Sequence, residues 1–186
     1  MKAFPTLAIT TLAIISTAAN GQTKRIPITF TGGYETDRRD GGRPIILIAA
    51  ALGVPSEVFR KAFSGVTPAR GRAPEPEQVR RNKDALLSVL SPYGITNDRL
   101  DTVSDYYRYQ PERGERWPAT PAQAYAVVSK GKIVSIKITR PGSGYSSPPS
   151  VLIPGFENLT PVVTVSYSKQ FEVNGAGRAI SITQKR

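Results

Sequence analysis

The side chains able to do chemistry in this chain are carboxylates, lysines, arginines, tyrosines and serines, because its 186 residues include no histidine and no cysteine. That composition removes Ser-His-Asp and Cys-His nucleophile pairs, His or Cys zinc sites, and haem or iron–sulfur ligation. No residue pattern calls for a cofactor. Among the carboxylates, Glu35, Asp37 and Asp40 stand before Gly41-Gly42 in the manner of a sparse calcium loop. They lack the alternate-residue ligands and the closing glutamate of an EF-hand, and Arg38, Arg39 and Arg43 compete for them, so a salt-bridged turn is expected. Asp101 and Asp105 lie on a polar helix face. Two of these five acids would serve glycan cleavage only if they faced each other at about 5–9 Å across an apolar cleft.

A second chemistry is recognition by rings and guanidinium groups. In YYRYQPERGERWPATP (106–121), Tyr106, Tyr107, Tyr109 and Trp117 interleave with Arg108, Arg113 and Arg116. Such a surface can stack sugars, bases or a proline-rich strand; alternatively Tyr107 and Trp117 plug the seam between two parts of the molecule while the arginines face water. A third is bulk charge. The net charge is +11, unevenly spread: residues 22–121 hold 16 basic and 12 acidic side chains, residues 122–186 hold 8 and 2. The denser positive field of the C-terminal part, carried by Lys130, Lys132, Lys137, Arg140 and Arg178, suits acidic polymers, anionic lipid surfaces or nucleic acid, or serves solubility alone.

The elements that must position these groups follow from periodicity. MKAFPTLAITTLAIISTAANGQ has Lys2, an uncharged apolar run from about Leu7 to Ala19, and small residues at its end. That is the layout of a secretory signal peptide cleaved after Ala19 or Gly21, and the run falls short of the roughly 20 residues that span a bilayer. A secreted, periplasmic or cell-surface protein with no transmembrane span in the mature chain is expected, held together by packing without disulfides. Residues 22–43 are turn-rich, with a short strand at Ile26–Thr31.

A helical domain is expected over 44–110. Pro44 opens the helix IILIAAAL, which stops at Gly53, and Pro55 opens a second with Val58, Phe59, Ala62 and Phe63 on one face. After the basic loop VTPARGRAPEP, a third helix runs from Pro76 to Leu90 with Val79, Lys83, Leu86 and Leu90 as its stripe. Thr96 or Asn97 caps a fourth, with Leu100, Val103 and Tyr107 inward. The corners Leu52-Gly53-Val54 and Tyr93-Gly94-Ile95 suggest two helical hairpins on one plan. A DNA-reading helix-turn-helix is disfavoured, because the second helix of each pair carries acidic residues; sequence-specific DNA binding is not expected.

Beyond a Pro/Arg linker at 111–121, the period becomes two. Ala124, Ala126 and Val128 alternate with Tyr125 and Val127; Lys130-Gly131 turns the chain; Val134, Ile136 and Ile138 alternate with Ser135, Lys137 and Thr139. This predicts a hairpin with one buried face. Then comes RPGSGYSSPPSVLIP (140–154). No Lys-Ser/Thr pair follows its glycines and a strand comes next, so it is expected to turn a corner and not to cradle phosphate. A second round is expected over Val162–Val173, with Val163, Val165, Tyr167, Phe171 and Val173 on one face, then Asn174–Gly177 turning into Arg178–Thr183 with Ile180 and Ile182 inward.

The succession of an alternating strand, a turn at Lys130-Gly131, IVSIKIT and GSGYSSPPSVLI resembles the GSGY-x-x-x-P β-repeat of bacterial surface and phage tail-like proteins. The resemblance covers about Ala124–Ile153, with Val162–Thr183 as a degenerate second hairpin, and departs at FENLTP (156–161). It implies a β-hairpin fold and no particular activity; the remainder of the chain resembles uncharacterised exported bacterial proteins. The expected fold is α+β: a small four-helix domain of two helical hairpins followed by an antiparallel β-hairpin module at 122–186. The expected function is non-catalytic binding or a structural role at the bacterial envelope, with an acidic polysaccharide or another envelope protein as partner. The rivals are a carboxylate-based glycan-acting enzyme and nonspecific nucleic-acid binding.

Overall fold

A computed structural model describes residues 23–67, 74–109 and 113–184. The expected signal peptide, most of the basic loop after the second helix, part of the Pro/Arg linker and the last two residues lie outside the described residues.

The chain is a mixture of helices and antiparallel sheets. Strand β1 (Lys24–Thr31) alternates Ile26, Ile28 and Phe30 with polar positions and Pro27, a period of two that turns one face inward; residues 24–28 pair with the strand Gln123–Ser129 and residues 29–31 with the strand Ser150–Leu152. Helices α1 (Ile45–Leu52), α2 (Ser56–Phe63), α3 (Pro76–Leu90) and α4 (Asn97–Tyr106) follow. Then come β2 (Gln123–Ser129), β3 (Lys132–Arg140), β4 (Ser150–Leu152), β5 (Leu159–Ser166) and β6 (Ala176–Gln184). The strands form a four-stranded sheet in the order β3-β2-β1-β4 and a two-stranded β5-β6 ribbon.

The N-terminal strand changes the expected architecture. It belongs to the same sheet as the hairpin more than ninety residues downstream, pairing Lys24 with Val128 through Ile28 with Ala124, so the helices are spliced between two neighbouring strands instead of preceding a separate β module. The helices also do not form two equivalent hairpins. α1 packs on α2 and α4, and α3 packs chiefly on α2; a short 3-10 turn, Ser91–Tyr93, leads to the Gly94 corner. Each helix start and stop has a local cause. Gly53 ends α1 with φ 79°, Pro76 opens α3, and the Thr96 hydroxyl accepts the Arg99 N–H to cap α4.

Two cores result. In the helical core, Leu47, Ala51, Leu52, Phe59, Leu90, Leu100 and Val103 are nearly sealed, and Tyr107 and Trp117 join them. Val79, expected on the α3 stripe, is 46% exposed. Under the sheet, Ile28, Ala124, Ala126 and Ile153 meet Ile180 and Ile182 of the ribbon. The second hairpin departs from expectation: β5 starts at Leu159 and ends at Ser166, while Phe171–Val173 forms a 3-10 turn whose Phe171 lies against the helical core. In β3 a register irregularity opposite Val127/Val128 gives Val128 the partner Ile133, and Val134, expected inward, is 59% exposed. A bulge moves every side chain beyond it by one face.

The segment Gly142–Ser147 joins the parts. The N–H groups of Ser143, Gly144, Tyr145, Ser146 and Ser147 donate to the carbonyls of Thr120, Asn174, Gly175 and, for the last two, Gly33. Tyr145 is buried, stacks on Tyr34 at 5.5 Å, and its hydroxyl accepts the Ala122 N–H. The Trp117 indole N–H donates to the Gly144 carbonyl at 2.8 Å. Gly144 has φ +79°, and a Cβ there would lie 2.5 Å from the Pro118 carbonyl oxygen. With its amides spent on protein carbonyls, this loop has none of those N–H groups left for a phosphate.

Candidate polyanion-binding face

Register decides which side chains share a face of the four-stranded sheet. Ala124 pairs with Ile28 and Ile138, and Ala126 with Ile26 and Ile136; these turn toward the ribbon. The intervening positions turn outward in rows: Arg25 with Val127 and Ser135, then Pro27 with Tyr125 and Lys137. The flanking pairs, Lys132 with Ser129 and Arg140 with Gln123, continue the same rows. Thr29 and Leu152 extend them onto β4.

This face carries Arg25, Lys132, Lys137 and Arg140; Lys24, paired with Val128, belongs to the other face at the end of β1, and Lys130 stands in the β2–β3 turn. No aspartate or glutamate occurs in β1, β2, β3 or β4. Among the described residues none of the six cations forms an ion pair. Lys130 occupies the left-handed region (φ 50°) ahead of Gly131 (φ 73°), the twist a two-residue hairpin requires. The Arg25 guanidinium lies 4.9 Å over the Tyr125 ring, a cation–π contact that does not use its N–H donors, which suit bidentate capture of an acid group. Arg25 and Tyr125 were not among the residues singled out from sequence. Their signal was the alternation of KRIPITF, whose partner strand is not local.

Arg178 lies apart, on β6 of the ribbon, where its Nε donates to Ser166 Oγ at 2.8 Å. The aromatic and arginine residues of 106–117 are mostly committed elsewhere. Tyr106 stacks on Phe171 at 4.1 Å. Tyr107 is buried, and its hydroxyl accepts from Asn174 Nδ2; burial pushes its pKa up to about 12. Tyr109 donates to the Gly42 carbonyl and meets Trp117 edge-on at 5.5 Å. Trp117 is 5% exposed. Arg108 pairs with Asp105 at 2.7 Å, and Arg116 sits 3.9 Å over the Tyr34 ring; Arg113 is exposed in a turn. Among the described residues these rings pack along the seam between helices and sheet.

The carboxylates are also occupied. Asp40, with a side chain 3% exposed, accepts Arg60 Nε at 2.7 Å and Nη2 at 2.9 Å. Arg60 Nη1 reaches Glu57 at 2.7 Å, and hydrogen bonding to Asp40 raises the Arg60 pKa further. Asp37 caps the Arg38–Asp40 3-10 turn and holds Arg39 at 2.8 Å; the Arg39 hydrogen bonds pull its carboxyl down to about 2. Glu35 accepts from the Ser147 hydroxyl, which lowers its pKa. Asp101 pairs with Lys83 at 2.9 Å. The partner of Asp40 is therefore Arg60, twenty residues away, and not one of the adjacent arginines expected from sequence. No group of three or more metal-ligating side chains gathers among the described residues, and no described helix is long and apolar enough to cross a membrane.

Comparison with protein-family models, with curated proteins and with solved structures finds no match in any of the three.

Proposed function

We propose that this chain is a non-catalytic, exported bacterial protein that binds an acidic polysaccharide of the envelope on the outer face of its four-stranded sheet. The observation that carries this reading is a face built on strands without Asp or Glu, on which Arg25, Lys132, Lys137 and Arg140 form no ion pair among the described residues. Cations held on a rigid sheet, with no carboxylate to neutralise them, give a field that attracts a polyanion and is screened by salt. Export is supported by Lys2 followed by the apolar run Leu7–Ala19. A non-catalytic role is supported by the ion pairs that hold Asp37, Asp40 and Asp101, since a carboxylate kept ionised by a neighbouring cation is a poor proton donor.

The test is binding of polygalacturonate, uncharged dextran and duplex DNA to the purified protein. Polygalacturonate is expected to bind, dextran not to bind, and the Lys132→Gln/Lys137→Gln variant to lose most of the affinity. Tighter binding of DNA would replace the polysaccharide with nucleic acid, and affinity for neither polymer would overturn the reading.

A further inference from the structure

A second, unrelated feature lies in the helical half. The Arg38–Asp40 turn, the start of α1 and the end of α2 line a cavity of about 510 Å³ that is open to solvent on one side, within the size range of small-molecule sites. Its two carboxylates, Asp40 and Glu57, are both held by Arg60. Arg43 and Lys61, which also line it, form no ion pair among the described residues.

Two contacts hold the turn that forms one wall of the cavity. The buried Asp40–Arg60 pair holds one side of the Asp40–Gly42 turn, and the Tyr109 hydroxyl holds the Gly42 carbonyl on the other. The Arg43 guanidinium lies 4.7 Å over the Phe63 ring, a cation–π contact that engages its charge without using its N–H donors. Arg43 and Phe63 also border a smaller cavity of about 230 Å³ with Ile48, Phe59 and Leu86. Arg43 and Phe63 thus border both spaces, with the Ile48, Phe59 and Leu86 side chains on the far side.

We propose that this cavity binds a small organic carboxylate, with its acid group on Arg43 and Lys61 and its apolar body along Phe63 toward Ile48 and Leu86. The flat, ring-backed guanidinium favours a carboxylate, because two parallel N–H groups match its two oxygens. The site is independent of the sheet face, and its failure would leave that reading untouched.

Calorimetric titration of the full chain with octanoate, octanol and inorganic phosphate tests it. Octanoate is expected to bind saturably at one site, with octanol and phosphate each at least about tenfold weaker, since each lacks one half of the complement. Arg43→Gln is expected to weaken octanoate by about tenfold or more, Lys61→Gln by a few-fold, and Lys132→Gln/Lys137→Gln not at all. Lys61 is exposed and unpaired, so its variant keeps the test open should Arg43→Gln lower the melting temperature. Equal binding of octanol, octanoate affinity unchanged in both cavity variants, or no saturation by about 10 mM would each overturn the proposal.

Discussion

In the helical half, Arg39, Arg60, Arg80, Lys83 and Arg108 each touch a carboxylate within 3.6 Å, whereas on the four-stranded sheet six cations stand with no acidic residue in the strands that bear them. The first arrangement spends charge on the fold, most of all at Asp40. The second gains no ion pairing for the fold from its charge: its strand cations lie on β1 and β3, with the uncharged β2 between them. Charge that does not stabilise the structure is free to act on something outside it. A substitution at one of those five paired residues should therefore read out as stability, and one on the outer face of the sheet as binding.

The contrast would break first at Arg60. Arg60→Ala leaves the Asp40 carboxylate buried without its cation, and the expected loss is about 3–5 kcal/mol in urea unfolding. Arg80→Ala, at an exposed pair in α3, is expected to cost under about 1 kcal/mol. Equal effects would mean that Asp40 is not the pinned group described.

The joint between the two regions gives the next effect. Gly144→Ala must place a Cβ 2.5 Å from the Pro118 carbonyl at φ +79°, and is expected to cost about 2–4 kcal/mol. Gly131→Ala has similar φ but open space around it, and is expected to cost about 1 kcal/mol. Similar melting temperatures for the two variants would remove the close approach as the reason for glycine at 144.

A smaller effect follows from Asp37. Its pKa is depressed from 3.8 to about 2 by Arg39; the folded state therefore holds the proton less tightly than the unfolded chain. The stability this contributes is present above about pH 4 and is lost as pH falls toward about 2. Comparing acid unfolding of Asp37→Asn with the parent checks it: the variant is expected to show a shallower decline across that window, and an identical decline would remove the Arg39 contact as a stabilising one.

Much of the local structure was legible. α3 begins at its proline, α1 stops at Gly53, and the Lys130-Gly131 turn sets the β2–β3 register, because each rests on backbone geometry its own residues impose. What was hidden is non-local. Nothing in KRIPITF states that its partners are Ala124–Val128 on one side and Val151 and Leu152 on the other. Arg60 gave no sign that it, and not Arg38 or Arg43, reaches Asp40. Asn174 read as a turn residue, yet it is fully buried and donates to the Leu47 carbonyl and the Tyr107 hydroxyl. The bulge that exposes Val134 broke an alternation that looked continuous. The candidate cations of β3 were visible as residues; their gathering on one face with Arg25 and Tyr125 needed the register.

The most direct measurement is the salt dependence of polygalacturonate binding for the parent and for the variant Lys132→Gln/Lys137→Gln/Arg140→Gln, with unfolding measured alongside. Three fewer cations on the polymer are expected to lower the slope of log affinity against log salt by about 2–3, while stability stays within about 0.5 kcal/mol. An unchanged slope, or a variant that loses stability in place of binding, would contradict the division of labour between the two regions.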